Sequence, residues 1–186
     1  MASRFSMDRS LLKPLLFIGA PFATISGFSQ YHSRVAQLPA VQHKRIAEAA
    51  EFVITSYVTP AATGGFVVAI GVRGHADKDL AKQGTTRTDF EQKISEDRAR
   101  DVAAALLEAI DGRAFRLPGV PSPEGDPFQP IVIGVGATML ARPHPMNEQD
   151  RAANRRVEIF FLRDFSALAQ SGDFPVPPQK SFGGPI

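Results

Sequence analysis

The stretch that decides the fold is RAANRRVEIFFL, residues 151–162, in which a polar segment passes directly into an apolar one. Val157, Ile159 and Phe161 recur at period two, which places them on one face of a β-strand. The remaining apolar residues of the strand fall on its other face. We therefore predict a last strand over residues 157–162, inside or beside a sheet, with those three side chains buried.

Two further elements are predicted just before this strand. Asn147 and Asp150 suit the first turn of a short helix. The apolar run from Ile131 to Ala137 is typical of a buried strand. Residues 117–130, which precede it, are rich in proline and glycine and are interpreted as a loop.

A long helix is predicted over residues 89–110, because apolar residues recur there at helical spacing, and Gly112 is expected to end it. Thr88 and Glu91 have the spacing of a capping box at its start. The residues on its buried side are Ile94, Val102, Leu106 and Ile110.

The first half of the chain predicts a strand, a helix and a second strand. Residues 22–30 are compatible with a strand, and Pro39 opens a helix that runs to about Tyr57, since proline suits a first helical turn. Residues 66–73 are apolar on both faces, which is typical of a central strand. Its predicted faces are Phe66, Val68, Ile70 and Val72 on one side, and Val67 and Ala69 on the other.

The order of elements is therefore β-α-β-α-β-α-β. Strands that alternate with helices favour a sheet with helices packed on it, so the expected fold class is an α/β (α+β) two-layer sandwich with a mixed sheet. The domain is expected over residues 21–163, followed by a tail over 164–186 that is rich in proline and glycine. Residues 1–20 are interpreted as an N-terminal arm or a weak signal or anchor, because Pro14 and Pro21 interrupt a short apolar run.

Composition excludes several classes of function. Hydrophobic residues make up 44% of the chain and charged residues 22%, so the composition is globular and not that of a disordered chain. A net charge of +2 does not indicate a nucleic-acid surface. The absence of cysteine excludes disulfides, thiol catalysis and cysteine-bound zinc. The four histidines lack metal-ligand spacing and no catalytic arrangement stands out, so we expect a binding protein without metal, cofactor or catalytic residues.

Two charged residues break the packing pattern. Arg98 lies four residues after Ile94 and four before Val102, so it interrupts the buried stripe and needs either a partner or a path to solvent. Asp77 directly follows a strand end, where the loops of open sheets usually contact ligands. An aspartate and an arginine that face one pocket could bind an amino acid as a zwitterion. A plain Asp77–Arg98 salt bridge, or two unrelated surface charges, is the simpler alternative.

Four motifs occur in a defined order along the chain. They are Gly74-His75-Ala76-Asp77, similar to GHTD; Ile94-Ser95-Glu96-Asp97-Arg98-Ala99 with Val102, similar to L-S-x-x-R-A-x-x-V; Gly134-Val135-Gly136 with Pro143, similar to G-x-G followed by proline; and Arg151-Ala152-Ala153-Asn154-Arg155-Arg156-Val157-Glu158-Ile159, similar to R-x-x-N-R-R-V-E-I. Together they resemble the OmpA-like domain family over about residues 66–162.

The resemblance implies a non-catalytic module that binds peptidoglycan through the diaminopimelate of the stem peptide. In the family, the aspartate of GHTD and the arginine of L-S-x-x-R-A hold this amino acid, and the corresponding residues here are Asp77 and Arg98. Asn154, Arg155 and Arg156 occupy positions that line or support the same region in the family. The alternative for these three is a helix end that caps itself and shields the last strand.

This chain departs from the family pattern in three ways. Ala76 replaces the threonine of GHTD, which removes a hydroxyl but keeps the backbone donor as a ligand contact. Glu91 replaces an asparagine that often contacts the ligand, and it either caps the helix or adds a second carboxylate for the ligand's ammonium. The loop over residues 78–93 is longer than usual, and it leaves open whether diaminopimelate binding is preserved.

The expected function is to anchor or dock an assembly at the bacterial cell wall, with peptidoglycan as the partner and the periplasm or cell envelope as the location. The alternative is an OmpA-like adaptor that binds a protein, for example in a phage-tail-like injection or secretion machine, and is cytoplasmic or secreted. Nucleic acid is not expected as a partner, and a membrane only if residues 1–20 are an anchor. We also expect Asp77 and Arg98 to meet across one cleft, and Arg98→Ala to spare the fold because alanine is the best helix former.

Overall fold

A computed structural model describes residues 16–114 and 129–164 of the chain. Within them the strands are β1 (Ala23–Ile25), β2 (Phe66–Gly74), β3 (Ile131–Gly134) and β4 (Val157–Asp164). The helices are α1 (Ala40–Val58), α2 (Pro60–Thr63), α3 (Gly84–Ala114) and α4 (Glu148–Asn154), and Val35–Gln37 form one turn of 3₁₀ helix. The arm predicted over residues 1–20, the loop over 117–130 and the tail over 164–186 fall largely outside the described residues. Across the described ranges, no helix has both the length and the apolar character needed to cross a membrane.

The sheet is mixed, and the predicted order of strands and long helices is confirmed. Its strands lie in the order β1-β4-β2-β3. Strand β4 is antiparallel to both β1 and β2, whereas β3 is parallel to β2. The two strands that are apolar on both faces, β2 and β4, therefore occupy the centre. The fold class expected from the sequence, a two-layer α/β sandwich with a mixed sheet, is confirmed.

The main core lies between the sheet and the helices α1 and α3. Val157 and Ile159 of the last strand are fully buried in it, as predicted. Phe161 is partly buried and stacks on Phe52, with ring centroids 5.4 Å apart. Burial of side chains of this size stabilises the fold by about 1.5–3 kcal/mol each. The other face of the sheet carries a smaller apolar cluster of Leu16, Ala69 and Phe160.

The predicted faces of β2 are correct only from Ala69 onward. A β-bulge interrupts the pairing with β4 between Val67 and Ala69. Because a bulge adds one residue to one strand, it reverses the alternation of side chains. Val67 therefore lies in the main core with Ile70 and Val72, whereas Ala69 faces Leu16 on the other side of the sheet.

Four predicted boundaries are wrong. One is the end of α3, which continues past Gly112 to Ala114 instead of ending at about residue 110. Helix α3 begins at Gly84, so Thr88 lies inside it and donates its hydroxyl to the carbonyl of Thr85 (2.9 Å) instead of capping the helix. The third strand ends at Gly134 instead of Ala137. The first strand is limited to Ala23–Ile25, because carbonyls of the following segment are used by a side chain of α3 and not by a neighbouring strand.

Two glycines allow α3 to lie directly on the ends of two strands. A Cβ at Gly74 would stand 1.8 Å from the backbone oxygen of Ser95, and a Cβ at Gly134 would stand 2.7 Å from the backbone nitrogen of Glu96. Neither backbone atom can move aside without shifting the helix. The glycines of the first and third motifs therefore set the distance between the helix and the sheet at the end where the charged residues collect.

Candidate functional site

The loop of residues 74–77 is fixed by its own backbone. The N–H of His75 donates to the carbonyl of Arg156 (2.9 Å), and the N–H of Ala76 donates to that of Gly136 (2.8 Å). Ser95 of α3 adds a further link, because its hydroxyl accepts from the N–H of Gly136 (2.9 Å). The loop after β2, the turn after β3 and the start of β4 are thus held together before any ligand is considered.

A small cleft lies beside this loop and is lined by four of the residues expected to bind a ligand. They are Ala76, Asp77, Arg98 and Arg155. The open space in the cleft is about 10 Å³, which leaves room for about one water molecule. The structure therefore brings these four residues together, but the cleft as it stands is too small for an amino acid.

Arg98 lies inside the protein and is 0% exposed. Its Nε donates to the carbonyl of His32 (2.9 Å), and Nη1 donates to that of His75 (3.1 Å). Its Nη2 donates to the carbonyls of Ser29 (3.0 Å) and Gln30 (3.1 Å). The guanidinium therefore ties the segment after β1 to α3 and to the loop after β2.

These bonds change what is expected of Arg98. Burial lowers its pKa to about 10, the positive charge of Arg155 acts in the same direction and the charge of Asp77 opposes both. Arg98 thus stays protonated at neutral pH without a direct ion pair to Asp77 among the described residues. Alanine at this position would leave four carbonyls without this donor, among them that of the fully buried His75, which is costly. The expectation that Arg98→Ala spares the fold is therefore replaced by its opposite.

Asp77 is held by the helix α4 that precedes the last strand. Its Oδ1 accepts from the side-chain amide of Asn154 (3.0 Å), and its Oδ2 lies 3.4 Å from Nη1 of Arg151. The Asn154 Oδ1 accepts in turn from the N–H of Arg142 (2.7 Å). Asn154 does not line the cleft but orients the carboxylate that does. Arg151 is a contact that the sequence did not single out, although it is the first residue of the R-x-x-N-R-R motif.

Arg155 and Arg156 point to different places. Arg155 lines the cleft, donates through Nε to the carbonyl of Phe28 (2.8 Å) and pairs with Glu148. Arg156 instead donates through Nε to Glu158 Oε1 (2.9 Å). Of the two arginines that follow Asn154, only Arg155 reaches the cleft.

Glu91 does not line the cleft. Of the loop predicted over residues 78–93, residues 84–93 belong to α3, and from this helix Glu91 fixes the remaining loop over residues 78–83. Its Oε1 accepts from the backbone N–H of Asp79 (2.8 Å), and Nε of Arg87 lies 3.7 Å from the same oxygen. Glu91 is buried, and it takes no part in a capping box because the helix starts seven residues earlier, at Gly84. Its role in the free protein is to hold the loop.

Asp79 binds the ammonium of Lys82 at a distance of 2.7 Å. This hydrogen bond lowers the pKa of the Asp79 carboxyl, against the opposing effect of burial. The same bond raises the pKa of the Lys82 ammonium. Both groups are therefore charged at neutral pH beside the cleft.

A second ionic cluster surrounds Glu158 close by. Its Oε2 accepts from Arg73 Nη2 (2.6 Å) and lies 3.0 Å from His75 Nε2, while Arg156 binds its Oε1. Burial alone would raise the pKa of Glu158, but the hydrogen bonds from His75 and Arg73 outweigh it and lower the pKa to about 2. His75 is fully buried and supports this carboxylate. Within the described part of the chain, no group of three or more side chains is suited to hold a metal ion.

Solved structures with a similar fold are known. The C-terminal domain of MotB from Helicobacter pylori matches with a TM-score of 0.51 and 21% identity, over 81% of this chain and 90% of that domain. The peptidoglycan-associated lipoprotein from Burkholderia pseudomallei matches with a TM-score of 0.49 and 16% identity, over 75% and 89% of the two chains. The cell wall anchor of the T6SS from Pseudomonas aeruginosa gives a TM-score of 0.46 and 22% identity, over 76% and 80%.

The sequence itself matches no protein-family model and no curated protein. Sequence identities of 16–22% indicate a shared fold and nothing about a shared function. The chain therefore has the fold of the MotB C-terminal domain, which is the OmpA-like fold expected from its four motifs.

Proposed function

We propose that this protein binds peptidoglycan through the diaminopimelate of the stem peptide and thereby anchors or docks its assembly at the cell wall. The observation that carries the proposal is that Asp77 and Arg98 line the same cleft at the end of the sheet. The motif resemblance assigns the same two residues to the ligand. The proposed ligand implies a location in the periplasm or cell envelope.

The charges of the cleft match a zwitterionic amino acid. The Asp77 carboxylate can take the ligand's ammonium, since its present partners, Asn154 and Arg151, leave lone pairs unused. The guanidinium of Arg98 has one more N–H than its bonds to four backbone carbonyls use, so it can still donate to a ligand carboxylate. A hydrogen bond between charged groups contributes about 1.5–3 kcal/mol.

The test is co-sedimentation with purified, insoluble peptidoglycan of the diaminopimelate type. We expect the wild-type protein to sediment with it, and free meso-diaminopimelate to release the protein. L-Lysine should compete less well, because it has the same two amines but one carboxylate fewer for Arg98. Asp77→Asn should weaken binding about ten-fold or more, since about 1.4 kcal/mol corresponds to a factor of ten.

The matched control is Asp111→Asn, which removes the same charge from an exposed position at the far end of α3. This variant should bind like the wild type. If the folded wild-type protein failed to sediment with peptidoglycan, the proposal would be wrong, and an adaptor that binds protein partners would be the better interpretation.

A further inference from the structure

Lys82 folds its ammonium back against the protein instead of extending it into solvent. Its Nζ lies 2.7 Å from Oδ2 of Asp79, 5.0 Å from the ring centre of Tyr31 and 4.1 Å from that of Phe90. The two rings are in edge contact, with centroids 5.6 Å apart. One carboxylate and two aromatic rings around a cation form an arrangement that binds ammonium groups. We call Asp79, Tyr31 and Phe90 the ammonium box.

The box is held in shape by contacts other than those of Lys82. The backbone N–H of Asp79 is bound by Glu91 (2.8 Å), and Oδ1 of Asp79 accepts from the N–H of Ala81 (3.0 Å). Asp79 is buried, with 3% of its surface exposed. Its Oδ2 therefore stays directed at the position of the cation when the lysine is absent.

The box adjoins the cleft of the proposed ligand. Asp79 and Phe90 line this cleft together with Asp77 and Arg98. An amino acid held by Asp77 and Arg98 would thus have a second acidic site within reach of a further ammonium group. The cleft holds only about 10 Å³ of open space, so its lining has to rearrange before an amino acid can enter.

We propose that the ammonium box is a binding subsite for a primary ammonium group of the ligand, and that Lys82 fills this subsite until the ligand displaces it. The inference rests on the proposed function for the identity of the ligand. The Lys82 side chain is 30% exposed, and partly exposed ion pairs contribute little stability. Lys82 can therefore exchange into water at small cost, and its departure leaves Oδ2 of Asp79 to an ammonium group of the ligand.

Titration calorimetry with free meso-diaminopimelate tests this exchange. The variants are Lys82→Ala and Lys78→Ala, which each remove one positive charge beside the same cleft. The general electrostatic effect on a ligand is thus matched between them. Only Lys82→Ala empties the box, so it should bind diaminopimelate about three- to ten-fold more tightly than Lys78→Ala does. Equal affinities of the two variants would overturn the proposal.

A second probe separates the subsite from the proposed function. Ethylammonium chloride offers only the ammonium group, and NMR reports on the ring signals of Tyr31 and Phe90. We expect these signals to shift in Lys82→Ala but not in the double variant that also carries Asp79→Asn. Rings that do not respond in Lys82→Ala would refute the subsite, whether or not peptidoglycan binds. A response in a protein that binds neither peptidoglycan nor diaminopimelate would support the subsite and reject the proposed function.

Discussion

Two carboxylates near the same strand ends have very different surroundings. Glu158 is enclosed by Arg73, His75 and Arg156, and its two oxygens receive four contacts of 3.0 Å or less. Asp77 has one hydrogen bond of 3.0 Å and one of 3.4 Å, and it lines the cleft. His75 and Asp77 are separated by one residue, so a single short loop serves both carboxylates.

The difference separates a structural charge from an available one. The lone pairs of Glu158 are used by the protein itself, so this carboxylate holds β2 to β4 and offers little to a ligand. Asp77 is oriented by its neighbours without being saturated by them. Arg98 belongs to the cleft by position, yet its bonding to backbone carbonyls resembles the saturation of Glu158.

The largest expected effect comes from Arg98→Ala. It removes four hydrogen bonds from a charged donor, each of which contributes about 1 kcal/mol or more, so the free energy of unfolding should fall by about 3–5 kcal/mol. Urea unfolding followed by circular dichroism measures this change. Arg98→Lys is the control, because it keeps the charge but lacks the planar fork. If the alanine variant were as stable as the wild type, Arg98 would not be a structural residue, and its charge would be available to a ligand like that of Asp77.

Replacing Glu158 should have the next largest effect. Glu158→Gln weakens the bonds from three cationic or polar side chains and should cost about 2–3 kcal/mol. The sign of the pH dependence follows from the lowered pKa. The stabilisation is complete above about pH 4.5, the ordinary value, and is lost as the pH falls towards 2.

Urea unfolding between about pH 6 and pH 2.5 measures this loss, which should approach about 3 kcal/mol in the wild type. The Glu158→Gln protein lacks the titrating group, so its acid sensitivity over that window should be smaller. Identical slopes in the two proteins would contradict the assignment of a structural role to Glu158.

Asp77→Asn should have the smallest effect on stability. The amide oxygen can still accept from Asn154, and the longer contact to Arg151 is partly exposed, so the change in unfolding free energy should stay below about 1 kcal/mol. Thermal unfolding measures it in the same samples used for the sedimentation assay. A large loss of stability would show that Asp77 is as structural as Glu158.

The strands and long helices could be predicted because the apolar residues of each element recur at a single spacing. Val157 and Ile159 are buried as their alternation predicts, and Asn147 caps α4, accepting from the N–H of Asp150 (2.9 Å). The predicted capping box of Thr88 and Glu91 was wrong because α3 begins earlier, at Gly84. The predicted faces of β2 were wrong before Ala69 because the bulge adds one residue, and an all-apolar run gives no sequence signal for it.

The contacts of the cleft could be predicted only in part. The sequence singled out Arg98 as a charge in an apolar stripe. Its acceptors are backbone carbonyls, which have no side-chain signature, and three of the four lie 66 to 69 residues earlier. Asp77 was found from its place at a strand end. The ammonium box was missed because Lys82 reaches Tyr31 and Phe90 only when the loop over residues 78–83 folds back against α3.

The short outer strands bear on how the protein behaves at high concentration. The edge strands β1 and β3 have only three and four residues, so the two edges of the sheet present few unpaired backbone groups. One carbonyl at the β1 border, that of Thr24, already accepts from Arg45 (2.8 Å), which also places a positive charge there. Short, charged borders are the usual defence of sheet proteins against strand-to-strand aggregation. These two edge strands therefore oppose sheet-to-sheet pairing between two copies of this protein.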